Sequence, residues 1–267
     1  MKLKKGVFLA TKKSGEVYYR ASITYKNKHI SLGSFEAENQ AHKAYMEATR
    51  IIGSSKLSIM DYKKKHKILS FEKWVCLVNF RDNGMYFKNP IFLHPKYFDY
   101  YLEDDEPYKF DVDDLFYYSN HKIMKRGGHL FVADYGMQVN ILNRYGIKNF
   151  AVPGKDYIFV NGDIKDFRYT NILIINRYMG VTKVLKAGRE TYDCKIHING
   201  DYLVGRYKTE KEAAIAYNKA VDVLKEKGIT INYQTNYIDD MDGKEYNEKY
   251  NQVKISKRLV NFNIVKD

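Results

Sequence analysis

Two segments about 170 residues apart repeat one local grammar, and a chain with such a repeat must build the same small unit twice. Near the N-terminus the pattern runs Gly6-Val7, a Ser14-Gly15 turn, Tyr18-Tyr19-Arg20-Ala21-Ser22-Ile23-Thr24-Tyr25, an Asn27 turn, then His29-Ile30-Ser31-Leu32-Gly33-Ser34-Phe35. It recurs as Gly180-Val181, a Gly188 turn, Thr191-Tyr192-Asp193-Cys194-Lys195-Ile196-His197-Ile198, an Asn199-Gly200 turn, then Tyr202-Leu203-Val204-Gly205-Arg206-Tyr207. Period-two alternation places Ala21 and Ile23, or Cys194 and Ile196, on one face, and Arg20, Ser22 and Thr24, or Asp193, Lys195 and His197, on the other. These are half-buried antiparallel strands, and Asn199-Gly200 predicts the positive backbone angles of a tight hairpin.

After the third strand each copy switches to helical spacing. Thr209-Glu210-Lys211-Glu212 has the form of a capping box, followed by Ala213, Ala216, Tyr217, Ala220, Val221 and Leu224 on one face. Ala37, Ala41, Ala44, Tyr45 and Ala48 take the same role in the first copy, and small alanines let a helix lie close against a sheet. Both segments, over about 50 residues each, resemble the Apetala-type (ethylene-response-factor) DNA-binding domain, also found in phage and mobile-element proteins. Gly6-Val7, Leu32-Gly33-Ser34-Phe35 and Ala41-His42-Lys43-Ala44-Tyr45 carry the resemblance in one copy. Gly180-Val181, Val204-Gly205-Arg206-Tyr207 and Ala213-Ala214-Ile215-Ala216-Tyr217 carry it in the other.

The resemblance implies that each sheet lays the face opposite its helix into the major groove, an accepted mode of strand recognition. The outward candidates are then Lys5, Lys12, Lys13, Arg20, Ser22, Thr24 and His29 in the first copy, and Lys183, Lys186, Arg189, Lys195 and His197 in the second. Turn lysines suit phosphates, whereas Arg20, Thr24, Lys195 and His197 lie mid-strand, where base edges come within reach. The plant pattern puts arginines and two tryptophans on this face. Here Met179, Thr182 and Leu203 stand at such positions, and the single tryptophan, Trp74, lies elsewhere. That argues for modest affinity per domain, which tethering two domains offsets.

Charge agrees with an anionic partner. The chain carries +13, with 45 Lys and Arg against 32 Asp and Glu, and long polyanions release counterions when their phosphates are neutralised. An AT-rich genome also inflates Lys, Asn, Ile and Tyr codons, so charge alone does not decide the partner. The first copy holds ten Lys and Arg against four Asp and Glu over 1–55, the second ten against seven over 178–233, so the first predicts the stronger nonspecific grip. No run reaches the roughly 18 to 20 apolar residues of a membrane span, and Met1-Lys2-Leu3-Lys4-Lys5 leads into no signal-peptide core. Only Cys76 and Cys194 are present, without metal-ligand spacing, which fits buried thiols in a reducing compartment. The expectation is a cytoplasmic, nucleoid-associated protein that binds double-stranded DNA, with no cofactor, no metal and no membrane association.

Residues 62–177 read as a separate central α+β domain with strand-like runs at Trp74-Val75-Cys76-Leu77-Val78 and His129-Leu130-Phe131-Val132. The acidic stretch of Asp104, Asp105, Glu106 and Asp111 to Asp114 lacks the glycine and terminal glutamate of a calcium loop and reads as solvated. The segment from Tyr157 to Ile172 resembles the core of HNH homing endonucleases, the ββα-metal nucleases. There a His-His pair precedes Asn-Gly-Asp, and an Asp-Asn-Arg-x-x-Asn-Leu turn opens a helix. Asn161, Gly162, Asp163, Asp166, Arg168 and Asn171 match, but Ile158 and Phe159 stand where the histidines belong, and Phe167 replaces the orienting asparagine. Phosphodiester hydrolysis in such a site needs a general base and a metal, which isoleucine and phenylalanine do not supply. No spacing places His121 or His129 there instead, so no catalytic residue is assigned.

The expected fold is therefore α+β: two small three-stranded antiparallel sheet-plus-helix domains, 1–55 and 178–233, flanking the HNH-like centre, with a tail over 234–267 that holds at most a short helix. Three functions compete. The first is a sequence-directed DNA-binding regulator of phage or mobile-element ancestry with an inactive nuclease-like centre. The others are an active HNH homing-type endonuclease and a protein-binding module whose basic charge is incidental.

Overall fold

Alternating apolar residues need a partner surface, and in each repeat a helix rich in alanine supplies it. The computed structural model describes residues 3–62, 68–104 and 106–262. It is mixed α+β, built on four separate three-stranded antiparallel sheets. Contacts divide it into two compact units: residues up to Ile141 together with Asp163–Asn171, and Leu142–Gly162 together with the chain from Ile172 onward.

The first unit opens with β1 (Val7–Thr11), β2 (Val17–Tyr25) and β3 (Lys28–Phe35), in that spatial order. Lys26 (φ 45°) and Asn27 (φ 60°) form the β2–β3 turn, a left-handed pair whose twist matches the flanking strands. α1 (Glu38–Gly53) buries Ala41, Ala44 and Ala48 completely against Ala21, Ile23, Ile30 and Leu32. Its first residue also ties down the chain start, the Glu38 carboxylate accepting from the Lys4 amide at 2.7 Å.

This core continues into α2 (Phe71–Asn83). The run from Trp74 to Val78, expected to be a strand, is therefore a helix. All its residues are buried, and a helix enclosed on every side loses its amphipathic period and reads as a continuous apolar run. Its ends carried the signal: the Ser70 side chain accepts from the Lys73 amide, and Gly84 closes the helix at φ 71°.

β4 (Ile91–Leu93), β5 (Tyr97–Tyr100) and β6 (Tyr108–Asp111) form the second sheet, α3 (Leu115–Asn120) follows, and β7 (Ile123–Arg126), β8 (His129–Asp134) and β9 (Met137–Asn140) form the third. Aromatic rings fill the core beside β6: Phe110 lies 5.5 Å from Phe98, 4.6 Å from Tyr118 and 5.5 Å from Phe167 between centroids. The acidic stretch is only partly solvated. Asp104, Glu106 and Asp113 are exposed, but Asp114 is buried and the Asp111 carboxylate accepts from the Tyr169 amide at 2.6 Å. Asp105, like residues 1–2, 63–67 and 263–267, lies outside the described residues.

In the second unit β10 (Tyr157–Phe159) pairs antiparallel with β11 (Ile172–Ile174). β12 (Val181–Lys186), β13 (Arg189–His197) and β14 (Asp201–Tyr207) then repeat the first sheet, covered by α4 (Glu210–Glu226). Thr209 caps α4, its hydroxyl accepting from the Glu212 amide. The positive turn angles fall at Ala187 (φ 47°) and Gly188 (φ 74°), not at Asn199 and Gly200 as expected. The β13–β14 connection has three residues, Ile198 to Gly200, so it does not demand the left-handed pair that a two-residue loop requires.

The two copies agree in detail. Val7 pairs with Ala21 as Val181 pairs with Cys194, and each sheet has a bulge one step later, at Ala21/Ser22 and Cys194/Lys195. At that step the Ser22 amide donates to Gly6 O at 3.0 Å and the Lys195 amide to Gly180 O at 2.8 Å. Beyond α4 the chain does not trail away. α5 (Gly243–Gln252) and α6 (Lys257–Val260) return to the sheet-helix core, burying Ile238 and Leu259, and Asn218 exchanges two hydrogen bonds with the Asn236 backbone. Among the described residues, no helix is long and apolar enough to cross a membrane.

Candidate nucleic-acid interface

The face of the first sheet opposite α1 carries its functional groups in register. Arg20 lies opposite Phe8 on one side and Ser34 on the other, and Phe8 is 53% exposed. The Arg20 guanidinium sits 5.6 Å from the Tyr18 ring, and Thr24 Oγ1 lies 3.4 Å from His29 Nδ1. Arg20, Thr24, His29 and Ser31 are exposed. Ser22 is the exception: expected on the accessible face, it is only 8% exposed, closed in where the strand bulges, and offers little to a ligand. Lys12 and Lys13 project from the β1–β2 turn. Lys12 is paired with Glu16 at 2.8 Å, which raises its pKa, and Lys13 has no ion-pair partner among the described residues. Lys5, also expected on the accessible face, instead lies on the helix side, its ammonium over the ring of Tyr45 in α1 at 6.0 Å. Sequence reasoning missed Phe8, Tyr18 and Ser34. Register supplies the lost signal, because the residue after the inward Val7 must point outward beside Arg20.

The equivalent face of the second sheet is walled and internally paired. Lys183, expected on this face, instead shares the side of buried Val181 and pairs there with Glu190 at 2.6 Å; on the outward face Arg206 contacts Asp193 at 3.2 Å, and His197 contacts Asp201 at 3.0 Å. Lys186 and Arg189 are exposed at the β12–β13 turn, and Lys195 is exposed mid-strand. Met179 is held through its backbone by Asn236, Thr182 is half-buried, and Leu203 is 40% exposed. Facing this sheet, residues 150–156 border an open-sided cavity of about 430 Å³ that Lys195 and His197 line. Buried Asp156 accepts from the Val152 amide at 2.8 Å, and buried Asn176 donates to Lys155 O at 2.8 Å while accepting from the Lys183 amide at 2.8 Å. Both anchors lie outside the repeat, so the pattern of the repeat could not reveal the wall.

The nuclease-like segment uses its polar residues on itself. Asp163 accepts from the Lys165 amide at 2.9 Å and from Lys109 Nζ at 3.3 Å. Asp166, fully buried, takes Arg168 Nε and Nη2 at 2.8 and 2.6 Å, and Asn171 Nδ2 donates to Asp166 O at 2.8 Å. Asn161 lies exposed after β10. Ile158 and Phe159 are strand residues paired with Leu173 and Ile172. The turn at Tyr169–Asn171 opens strand β11 rather than the expected helix, because Ile172-Leu173-Ile174 completes the hairpin with β10. His121 stacks on Tyr117 and faces Asp134 at 3.6 Å, and His129 is exposed in β8. Among the described residues no three His, Cys, Asp or Glu side chains are grouped to hold a metal. Cys76 and Cys194 are buried free thiols, and burial pushes their pKa values up to about 11 and about 12.

No protein-family model, curated protein or solved structure matches the chain. Chemistry must therefore be argued from side chains alone. The first sheet offers a guanidinium, hydroxyls and exposed aromatic rings on one open surface with cationic turns, a set able to grip phosphates and touch base edges.

Proposed function

We propose that the protein is a sequence-directed, double-stranded DNA-binding protein, a regulator of phage or mobile-element ancestry, and that its N-terminal sheet is the principal reading surface. The observation that carries this reading is the open face around Arg20, flanked in register by Phe8 and Ser34 and bordered by Lys12 and Lys13. Lysines at the turn would neutralise phosphates, and Arg20 would meet base edges while Phe8 packs against sugar or thymine methyl groups. The resemblance of both repeats to Apetala-type domains supports the same mode.

The central segment, in this reading, is a nuclease-derived scaffold that no longer cuts. Incubation of duplex DNA with the protein and magnesium or manganese should leave it intact, and metal-dependent nicking lost on Asn171→Ala would overturn that part of the proposal.

The direct test is selection of bound fragments from a random duplex library, followed by binding of the selected duplex to Arg20→Ala and Phe8→Ala. Loss of one good base contact costs roughly 1 to 3 kcal/mol of discrimination, so Arg20→Ala should blur the selected sequence. An unchanged preference in both variants would remove the N-terminal sheet from recognition.

A further inference from the structure

We propose that the cavity between the outward face of the C-terminal sheet and residues 150–156 is a binding site for a small organic anion, a molecule that joins one phosphate or carboxylate to an apolar body. The cavity, about 430 Å³, falls within the range of about 300 to 1,000 Å³ typical of small-molecule sites. Its apolar walls come from Phe150 and Val152 on the segment, from Met179 just before β12 and from Val184 on the sheet. The cations come from Lys155 and Lys195, one on each side.

Charge sets the sign of the ligand. The three carboxylates at the cavity are all engaged: Asp156 by the Val152 amide and Asn176, Asp193 by Arg206, and Asp201 by His197. Lys155 and Lys195 have no ion-pair partner among the described residues, yet both act on one point. The Asp201 carboxyl is held below its ordinary pKa, first by the hydrogen bond from His197 and further by the charges of His197, Lys195 and Lys155. An anion entering there meets the Lys155 and Lys195 ammonium groups, one from the segment and one from the sheet.

The placement of the segment is built rather than incidental. Asp156 and Asn176 are both buried and fix the segment by four hydrogen bonds to Val152, Lys155, Lys183 and each other. The N-terminal copy provides the contrast. Its corresponding face leaves Phe8 exposed, and Ser22, small and buried, occupies the position that Lys195 holds here. The lysine is present in the copy that has the cavity.

The full-length chain should be titrated by calorimetry with adenosine monophosphate, with benzoate as the carboxylate arm, and with inorganic phosphate as the control lacking an apolar body. The expected result is one site per chain for at least one organic anion at sub-millimolar concentration, with inorganic phosphate at least about tenfold weaker. Lys155→Gln, on the exposed segment, and Lys195→Gln should each weaken it about tenfold, and Val184→Trp should abolish it by filling the cavity; circular dichroism verifies that each variant is folded. Absence of binding by both organic anions, equal binding of inorganic phosphate, or binding that survives both Lys155→Gln and Val184→Trp overturns the proposal. Duplex binding is not part of the readout, so this test stands apart from the fate of the DNA reading.

Discussion

Gly6 lies directly beneath the ring of Tyr45, so closely that a Cβ at residue 6 would fall on the ring itself, and Gly180 bears the same relation to Tyr217. Both glycines take positive φ, 78° and 71°, so a side chain meets a backbone penalty as well as a collision. Gly6→Ala and Gly180→Ala should each destabilise the fold by roughly 2 to 4 kcal/mol, measured by urea unfolding followed by circular dichroism. Gly15→Ala, also at positive φ but with open space around it, should cost clearly less; equal losses at all three positions would contradict the packing account.

The buried Asp166 carboxylate relies on Arg168, which grips both of its oxygens. Arg168→Ala removes the two guanidinium bonds, the backbone amide of residue 168 still donating to Asp166 at 3.2 Å, at a cost of roughly 1 to 3 kcal/mol. Replacing both residues together, by Asp166→Asn and Arg168→Ala, should cost less than the sum of the single changes. Additive losses in a double-mutant cycle would show that the pair is not coupled.

Cys76 and Cys194 should resist a thiol reagent at pH 8 and react only on unfolding. Their pKa values are raised by burial, to about 11 and about 12, whereas the unfolded chain ionises its thiols at their ordinary value. The stability gained by burying neutral thiols is therefore complete below the ordinary thiol pKa and is lost as pH rises toward those folded-state values. Unfolding curves from pH 8 to 11 should show falling stability, and Cys76→Ala with Cys194→Ala should flatten that fall. Rapid labelling of the folded protein at pH 8 would contradict the buried placement.

The repeat was legible because its period-two strands face solvent on one side, so burial prints itself on the sequence at Ala21, Ile23, Cys194 and Ile196. Its closing helices were legible through their alanines. Trp74 to Val78 misled because a fully enclosed helix has no polar face to set a period. The tail beyond Tyr233 looked featureless because much of its hold on the fold runs through the side chains of Asn218 and Lys219, which bond to backbone groups of Asn236, Tyr250 and Val253, contacts that no periodicity encodes. At the candidate interface, Arg20, Thr24 and His29 followed from strand alternation. The burial of Ser22 depends on a bulge, and the wall over Lys195 and His197 depends on Asp156 and Asn176, well outside the repeat.

The proposed DNA binding depends on phosphate neutralisation by the N-terminal copy. Lys12, Lys13 and Arg20 supply three cations around one face, which predicts that the logarithm of duplex affinity falls linearly with the logarithm of salt with a slope of about −2 to −3. Affinity should then drop about fortyfold between 50 and 200 mM salt, and Lys12→Ala with Lys13→Ala should make the slope shallower for every sequence alike. A flat salt profile for the unmodified chain, or a slope untouched by removing both lysines, would contradict DNA binding through this surface.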